Sequence, residues 1–362
     1  MSWNKLIWLL LILPALGMAE CHFNTEQPLT LYIAEASAAP SSIQKLMLSN
    51  NRLLGDVASQ AKLELRNAES AALFSQLSDW ANAGIHASLI MAEPAILDRN
   101  LDGIADAVYV VDINGRLWFI GLTNSGFTSP TLIADFSAAG AKFTQPLQLV
   151  QTAYNVSYGS IGKVQRLKVS IVLIASYADI GDSLILFNHQ PEQDWLVTLD
   201  DLSDRTELGA DDVDLGLTET VWYELQQGPG WFIQLGASVR AKPQVYAGVV
   251  YLVAVTNVSE PSSCEIHSSD DAKLFAIHLH HAGKVYAKRS WQFTGVGNVA
   301  LELDNTGDQL SLTLVNESEP SEIIAEMLAI TADCFDCTEA LTASSFPRTL
   351  RLATYMTEFG AW

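Results

Sequence analysis

The chain has few basic residues and few charged residues of any kind. It contains 20 lysines and arginines against 41 aspartates and glutamates in 362 residues, so its formal net charge is −21. An acidic field of this size repels phosphate and therefore argues against nucleic acid as a partner. Charged residues make up only 17% of the chain and hydrophobic residues 49%. This composition belongs to a folded protein and not to a disordered polyanion.

Long apolar runs are also missing after the first twenty residues. Residues 1–19 place one basic residue, Lys5, before an apolar stretch at residues 6–16, and small residues follow it. This is the pattern of a secretory signal peptide. No later stretch approaches the roughly twenty apolar residues that a membrane helix needs. We therefore expect an exported protein with no transmembrane segment.

Cysteine is scarce, with four residues in the whole chain. They are Cys21, Cys264, Cys334 and Cys337, and all of them follow the predicted signal peptide. An even number of cysteines in an oxidising compartment favours two disulfides, with three pairings open. Because only one close pair exists, spacing alone does not indicate a zinc site.

Residues 20–90 differ in pattern from the rest of the chain. From residue 37 to residue 90 the sequence is rich in Ala, Leu, Gln, Ser and Asn, and apolar residues recur every three or four positions. That spacing predicts helices, with Pro40-Ser41-Ser42 starting one helix and Gly84 ending another. We expect a short helix-prone segment between the signal peptide and a larger domain.

Residues 91–362 have the pattern of an antiparallel β-protein. Short runs of β-branched, aromatic and aliphatic residues alternate with Asn-Gly, Gly-Asp, Pro-Gly and acidic turns. The clearest hairpin joins residues 108–113 to residues 116–122, because Asn114-Gly115 supplies both positive-φ residues of a type I′ turn. Many short strands predict a propeller or a sandwich. No exact internal repeat is present, so any propeller blades have diverged.

Residues 98–106 place oxygen-bearing side chains at alternate positions and a glycine where the chain must reverse. Calcium takes roughly six to eight oxygen ligands, and a short loop of this kind supplies most of them. Gly103 takes the required positive φ at low cost. The predicted calcium ligands are the side chains of Asp98, Asn100, Asp102 and Asp106 and the main-chain carbonyl of Ile104.

Two other interpretations of this loop are weaker. A helix-loop-helix calcium hand needs a glutamate at its twelfth position, which here is Tyr109. The run at residues 107–111 predicts a strand instead, so the loop leads into a sheet. Ordinary turn chemistry needs only one or two Asp or Asn residues, whereas ligation accounts for all four.

The histidines at 267, 278, 280 and 281 are the other possible metal ligands. His278 and His280 would face the same side of a strand, a geometry that binds zinc or copper. The simpler interpretation is that these histidines cover the solvent face of the strand, since no carboxylate or cysteine completes a site. Two acidic runs, at residues 200–204 and 211–214, are interpreted as solvated faces.

A series of short segments follows the loop in a fixed order. They are Ala92-Glu93-Pro94-Ala95 before the loop, then Val108-Tyr109-Val110, Asp112-Ile113-Asn114-Gly115, Leu117-Trp118-Phe119, Asp201-Leu202-Ser203-Asp204-Arg205-Thr206, Gly230-Trp231-Phe232, Lys242-Pro243-Gln244-Val245 with Val250-Tyr251, and Cys264 ahead of Leu274-Phe275-Ala276-Ile277. This series resembles the C-terminal domain of the PilY-type tip and biogenesis proteins of type IV pili. The resemblance extends over roughly residues 85 to 290.

The resemblance implies a mainly β fold, a modified PilY-like β-propeller formed by residues 91–362, with Ca²⁺ bound in a hairpin of one blade. It also implies a non-enzymatic pilus assembly or tip factor whose partners are pilins or minor pilins. The location would be the periplasm, cell surface or pilus of a Gram-negative bacterium. Full-length members have a large N-terminal region, so we expect a truncated member here.

Catalytic motifs are missing from the sequence. It contains no Gly-x-Ser-x-Gly elbow, no His-Glu-x-x-His and no phosphate-binding glycine loop. A quinone-dependent propeller dehydrogenase is the sharpest enzymatic alternative, because Trp118, Trp231 and Trp291 could provide a cofactor floor. No adjacent cysteine pair exists to cover such a cofactor. A calcium-stabilised secreted scaffold or lectin-like binding protein is the other alternative.

Overall fold

The structure is a computed structural model, and its strands account for most of the residues that it describes. These are residues 26–34, 43–56, 60–80, 82, 84–157, 163–178, 180–190, 195–207, 221, 224–225, 227–256, 265–268, 270–286, 288–293, 297–306, 309–316 and 321–329. The predicted signal peptide and all four cysteines lie outside these ranges, so export and disulfide formation stay predictions. Of the helices in these ranges, none has the length and apolar character required to cross a bilayer.

The prediction of a mainly β protein is confirmed. The strands are β1 Leu29–Ala34, β2 Ile43–Asn50, β3 Leu63–Asn67, β4 Leu73–Leu77, β5 Ala95–Leu97, β6 Ala107–Val111, β7 Arg116–Thr123, β8 Gly126–Phe127, β9 Thr131–Asp135, β10 Gln148–Ser157, β11 Lys163–Tyr177, β12 Gly181–His189, β13 Val197–Thr198, β14 Ser203–Asp204, β15 Gly230–Gln234, β16 Ser238–Val239, β17 Gln244–Tyr246, β18 Val249–Val255, β19 Ala272–His278, β20 Ser290–Phe293, β21 Val299–Thr306, β22 Gln309–Asn316 and β23 Ser321–Ala329. One helix, α1, spans Asn51–Leu54, and 3-10 turns span Ser137–Ala139 and Leu199–Asp201.

These strands form five sheets in the described part of the chain. Sheet I has the order β1-β2-β3-β4, sheet II β13-β9-β7-β6-β5 with β8 on β7, sheet III β10-β11-β12-β15-β14, sheet IV β16-β18-β19-β20 with β17 on β18, and sheet V β21-β22-β23. Pairing is antiparallel except where β13 meets β9 and where β14 meets β15. Each sheet is therefore assembled almost entirely from strands that are close in sequence.

Successive sheets pack face to face in chain order. An apolar core lies between sheets I and II, another between II and III, a third between III and IV, and a fourth between IV and V. The central strands β6, β12 and β18 are consequently buried on both faces. This explains why residues 107–111 and 249–255 are continuous apolar runs without polar alternation. The succession of stacked sheets is propeller-like, as the sequence predicted.

The helix prediction for residues 20–90 is wrong in the described part of that segment. Strands β1 to β4 form sheet I there, and α1 has only four residues. Leucines alternate along β2 and β3 and point into the core shared with sheet II, for example Leu46, Leu48, Leu63 and Leu65. The apolar spacing of this segment also fits a helix, but packing against sheet II favours strands.

The predicted hairpin is present, but its turn is not type I′. Residues 112–115 join β6 to β7, and Gly115 has a φ of 98° whereas Asn114 does not have a positive φ. The buried carboxylate of Asp112 accepts hydrogen bonds from the main-chain N–H groups of Ser88, Asn114 and Arg116 at 2.8, 3.0 and 3.0 Å. Burial nevertheless raises the pKa of Asp112. The carboxylate of Asp112 stabilises a turn that is longer than the two-residue loop of a type I′ hairpin. The Asn-Gly pattern therefore did not predict the turn type here.

Gly230 begins β15 at a point where two strands approach very closely. Its φ is +142°, and a Cβ atom there would overlap the main-chain carbonyl oxygen of Leu186 on β12. Gly236 differs, because its φ is +58° and a Cβ atom would meet nothing within 4 Å. The glycine of the Gly-Trp segment is therefore required by the contact between two strands of sheet III.

We predict that Gly230→Ala lowers the free energy of unfolding by about 3 kcal/mol, because a backbone atom cannot move aside as a side chain can. Gly236→Ala should cost about 1 kcal/mol, the cost of a positive φ alone. Urea denaturation of both variants measures the difference. Equal losses in the two variants would show that the close approach does not constrain the fold.

Tyr109 and His189 form a polar contact between sheets II and III. The hydroxyl of Tyr109 lies 2.8 Å from Nδ1 of His189, at the edge of the apolar core. Burial, followed by the charge of Arg99, lowers the pKa of His189 from 6.5 to about 4. The folded protein therefore favours neutral His189.

We predict that acidification from pH 6.5 to pH 4 lowers the free energy of unfolding through the protonation of His189 in the unfolded state. The unfolded state binds a proton in this range and the folded state does not, so up to about 3 kcal/mol is lost as the pH falls. The measurement is urea denaturation at several pH values, compared with His189→Gln, which does not titrate but keeps an acceptor for Tyr109. The same dependence on pH in both proteins would assign the effect to other groups.

Candidate calcium site

Residues 98–106 form the connection between two antiparallel strands of sheet II. Leu97 at the end of β5 pairs with Ala107 at the start of β6. The N–H of Asp106 donates to the carbonyl of Leu97 at 2.8 Å, and the N–H of Leu122 donates to the carbonyl of Asp106 at 2.8 Å. The loop is thus held at its base by strands of the sheet, as expected for a loop that leads into a β-hairpin.

The loop backbone turns at two alternate residues. Leu101 has a φ of 59° and Gly103 a φ of 85°. A Cβ atom on Gly103 would meet nothing within 4 Å, so the conformation and not the space explains the glycine. Leu101 takes the same left-handed region at a cost, and 82% of its surface is exposed. These two left-handed residues flank Asp102 and reverse the chain within the loop.

The predicted ligands hold the loop together through hydrogen bonds to its main chain. The two carboxylate oxygens of Asp98 accept from the N–H groups of Asp102 at 3.2 Å and Gly103 at 2.7 Å. Oδ1 of Asp102 accepts from the N–H of Ile104 at 2.8 Å. Oδ2 of Asp106 accepts from the N–H of Arg99 at 2.7 Å. All three aspartates therefore shape the loop.

Asn100 joins the same network. Its Nδ2 donates to Oδ2 of Asp102 at 2.9 Å, and its Oδ1 accepts from the N–H of Asp102 at 3.2 Å. The structure thus places the four predicted side-chain ligands, Asp98, Asn100, Asp102 and Asp106, in one hydrogen-bonded loop. Ile104 is half-buried beside them and takes part through its main chain.

The donor set fits calcium in its chemistry. Three carboxylates, one amide oxygen and a main-chain carbonyl are hard oxygen ligands, the type that calcium selects over nitrogen and sulfur. The carboxylates bind separate N–H groups of the loop. Across the described ranges, no group of three or more His, Cys, Asp or Glu side chains is arranged to hold a metal ion. Calcium binding by the loop stays a prediction.

Two hydrogen bonds and one electrostatic interaction connect this loop to the neighbouring sheets. Nε2 of Gln151 on β10 donates to the carbonyl of Asp98 at 2.5 Å, which ties the loop to sheet III. The N–H of Ala105 donates to the carbonyl of Tyr32 on β1 at 2.8 Å, which ties it to sheet I. The charge of Arg99 contributes, after burial, to the low pKa of His189 on sheet III. Sequence reasoning missed Gln151, because nothing in its local pattern points to a loop some fifty residues earlier.

The histidines have structural roles that the sequence did not predict. The rings of His278 and His281 stack with centroids 3.8 Å apart. Their Nδ1 atoms accept from the N–H groups of His280 and Gly283 at 3.2 and 3.0 Å, in the turn that follows β19. His280 is only 2% exposed, so the interpretation that all three cover a solvent face is wrong for it. Burial, then His278 and Lys168, lowers its pKa.

The first acidic run also serves the fold. Oδ2 of Asp201 accepts from the N–H and the hydroxyl of Thr198 at 2.8 and 2.7 Å, closing a capping box at a 3-10 turn. Asp204 accepts from the N–H of Thr206 at 2.9 Å. The second run, at residues 211–214, lies outside the described residues.

The three tryptophans that could provide a quinone floor lie in different cores. Trp118 is buried between sheets I and II, Trp231 between sheets III and IV, and Trp291 packs against the core between sheets IV and V. The N–H of Trp231 donates to the carbonyl of Leu279 at 2.9 Å, which joins sheets III and IV. These side chains therefore do not form one cofactor surface.

Comparisons with known proteins give similarity in structure alone. No protein-family profile matches the chain, and no curated protein matches it. Among solved structures, the crystal structure of the Pseudomonas aeruginosa PilY1 C-terminal domain aligns with 14% identity and a TM-score of 0.49, covering 81% of this chain and 70% of that one. Quinohemoprotein alcohol dehydrogenase from Comamonas testosteroni aligns with 9% identity and a TM-score of 0.38, covering 78% and 52%. PilY1 is of the type that the ordered sequence segments resemble.

Proposed function

We propose that this chain is a non-enzymatic, calcium-binding protein that acts in the assembly or at the tip of a type IV pilus. The single observation that carries the calcium role is the loop of residues 98–106, in which four oxygen-bearing side chains and two positive-φ residues form one hydrogen-bonded unit. The pilus role rests on the ordered PilY-type segments. Its partners are pilins or minor pilins, and it works outside the cytoplasm.

The contacts of residues 98–106 with sheets I and III indicate what a bound ion would affect. Bound calcium would neutralise the carboxylates of Asp98, Asp102 and Asp106, which otherwise repel one another. Asp98 is held from sheet III by Gln151, and Ala105 is held to sheet I through Tyr32. Any change in the loop therefore reaches three sheets, so its ligand state stabilises or regulates the packing of sheets I, II and III.

The later PilY-type segments support the fold and not a second site. The Nε–H group of Arg205 donates to the carbonyl of His281 at 3.1 Å. The guanidinium of Arg289 donates to the carbonyls of Arg205 and Thr206 at 2.9 and 2.6 Å. Together with the Trp231 indole, these bonds join sheets III and IV. The segment at 201–206 thus contributes to a joint between two blades.

We predict that calcium stabilises the protein and that Asp102→Ala abolishes this effect. A ligand that binds only the folded state adds about 2.7 kcal/mol at one hundred times its dissociation constant. Isothermal titration and calcium-dependent melting measure the two quantities. Asp200→Ala is the matched control, because Asp200 is an exposed aspartate outside the loop and its loss should leave binding unchanged. Unchanged calcium binding in Asp102→Ala would contradict the assignment of the calcium site.

Asp102 also accepts a hydrogen bond from Ile104, so its removal could disturb the loop without involving an ion. Asp102→Asn separates the two effects, since it keeps a neutral oxygen acceptor and removes the charge. We expect Asp102→Asn to fold normally and to bind calcium at least about tenfold more weakly, because calcium affinity follows the number of charged ligands. Wild-type affinity in Asp102→Asn would show that this carboxylate is not a ligand.

We predict that replacing the gene with one that encodes Asp102→Ala alters the number of surface pili, counted by electron microscopy, and that Asp200→Ala does not. A deletion strain with normal pili would favour the calcium-stabilised scaffold or lectin-like alternative.

Reconstitution with pyrroloquinoline quinone and calcium should yield no bound cofactor absorbance, because the three tryptophans lie in separate cores. A stable cofactor spectrum would establish the enzymatic alternative.

A further inference from the structure

The turn of residues 278–283 follows β19 and contains three histidines. Its first residue, His278, still pairs with Val249 of β18. The N–H of Ala282 donates to the carbonyl of His278 at 2.9 Å, which closes the turn. Ala282 has a φ of 60°, in the left-handed region that is unfavourable for a residue with a Cβ atom. The turn therefore keeps this conformation only because other contacts hold it.

Main-chain carbonyls of this turn join sheet IV to sheet III. The carbonyl of Leu279 accepts the indole N–H of Trp231 at 2.9 Å, and the carbonyl of His281 accepts the Nε–H group of Arg205 at 3.1 Å. Trp231 lies on β15 and Arg205 follows β14, so both donors belong to one edge of sheet III. The conformation of the turn thus decides whether these bonds between the two sheets exist.

Two half-buried imidazoles shape the turn as hydrogen-bond acceptors. Nδ1 of His278 accepts from the N–H of His280 at 3.2 Å, and Nδ1 of His281 accepts from the N–H of Gly283 at 3.0 Å. A Cβ atom at position 283 would lie 2.5 Å from Nδ1 of His281, so the glycine makes room for this bond. An imidazole that accepts at Nδ1 is neutral. Protonation of either ring turns Nδ1 into a donor and removes one of these bonds.

Basic groups surround the same two rings. The rings of His278 and His281 stack with centroids 3.8 Å apart and planes 16° apart, so protonation of both would place two positive charges in contact. The guanidinium of Arg205 binds the carbonyl of His281, and that of Arg289 binds the carbonyl of Ala282 at 3.3 Å. Arginine stays charged throughout the physiological pH range. A proton on either ring is therefore opposed by the other ring and by two guanidinium groups.

His280 adds a third imidazole and Lys168 of β11 a further positive charge. The ring of His280 is 2% exposed, and its centroid lies 5.7 Å from that of His278. Burial, followed by the charges of His278 and Lys168, lowers the pKa of His280 well below its ordinary value. His280 thus stays neutral as the pH falls. The rings that solvent protons reach are the half-buried ones of His278 and His281.

We propose that the turn of residues 278–283 is a pH-sensitive latch between sheets III and IV, closed while His278 and His281 are neutral and opened when they take up protons. Above about pH 7.5 both rings are neutral in the closed and in the opened turn, so the joint has its full stability. As the pH falls through about 6.5, the opened turn binds protons that the closed turn excludes, and the equilibrium shifts toward the opened turn. The latch depends on neither the calcium loop nor a pilus partner.

Hydrogen exchange of the purified full chain between pH 7.5 and pH 5.0 measures the opening, expressed as protection factors that correct for the intrinsic effect of pH. The main-chain N–H groups of residues 278–283, and the indole N–H of Trp231 followed by NMR, should lose protection at least about tenfold over this range. The N–H groups of β6 should stay better protected than the turn at each pH, which marks the opening as local.

The double variant His278→Asn with His281→Asn tests the role of the two rings. Asparagine offers an acceptor oxygen near the position of Nδ1 and does not titrate, so the bonds to the N–H groups of His280 and Gly283 can persist. The double variant should match the wild type at pH 7.5 and keep its protection at pH 5.0. His86→Asn is the matched control, because His86 is an exposed histidine outside the turn, and it should lose protection as the wild type does.

His281→Asn alone supplies a second measurement, which remains decisive if the double variant does not fold. It keeps one titrating ring, so the number of protons taken up on opening should fall from about two to about one, read from the slope of the protection factor against pH. An unchanged slope in His281→Asn would overturn the latch. So would wild-type protection that is the same at pH 7.5 and pH 5.0, or an equal loss of protection in the double variant and the wild type.

Discussion

The packing of each sheet against the next is the constraint on which the rest of the structure depends. A strand that is covered on both faces has no solvent side, so β6, β12 and β18 are apolar at successive positions. Their polar main-chain groups pair within the sheet, and the buried side chains of Thr152, Ser170 and Asn188 in sheet III bond to one another. The oxygen-bearing side chains of residues 98–106 lie instead in a connection at the strand ends.

Several polar contacts between sheets join a side chain to a main-chain carbonyl. Gln151 binds the carbonyl of Asp98, the indole of Trp231 binds that of Leu279, and Arg205 binds that of His281. Such bonds orient one sheet on the next without burying an uncompensated charge. The loop of residues 98–106 is one of these joints, and it contains three carboxylates.

Local chemistry was predictable from the sequence where neighbours in the chain decide it. The loop composition, its leading into a strand and the position of the β6–β7 hairpin are of this kind. The turn type was not predictable, because the buried carboxylate of Asp112 accepts a hydrogen bond from Ser88, which is 24 residues away in sequence. Sheet I was mistaken for helix for the same reason, since Leu46 and Leu63 face a core that sheet II completes. Gln151 and His280 likewise owe their roles to distant contacts.

Tyr32 connects residues 98–106 to sheet I. Its carbonyl accepts the N–H of Ala105 at the end of the loop, while the main chain of β1 pairs with β2 along its whole length. On the other side, Gln151 of sheet III donates to the carbonyl of Asp98 at the start of the loop. The two ends of the loop are therefore held by two different sheets, and its base belongs to a third. A change in the conformation of residues 98–106 would for that reason have to be accommodated by sheets I, II and III together.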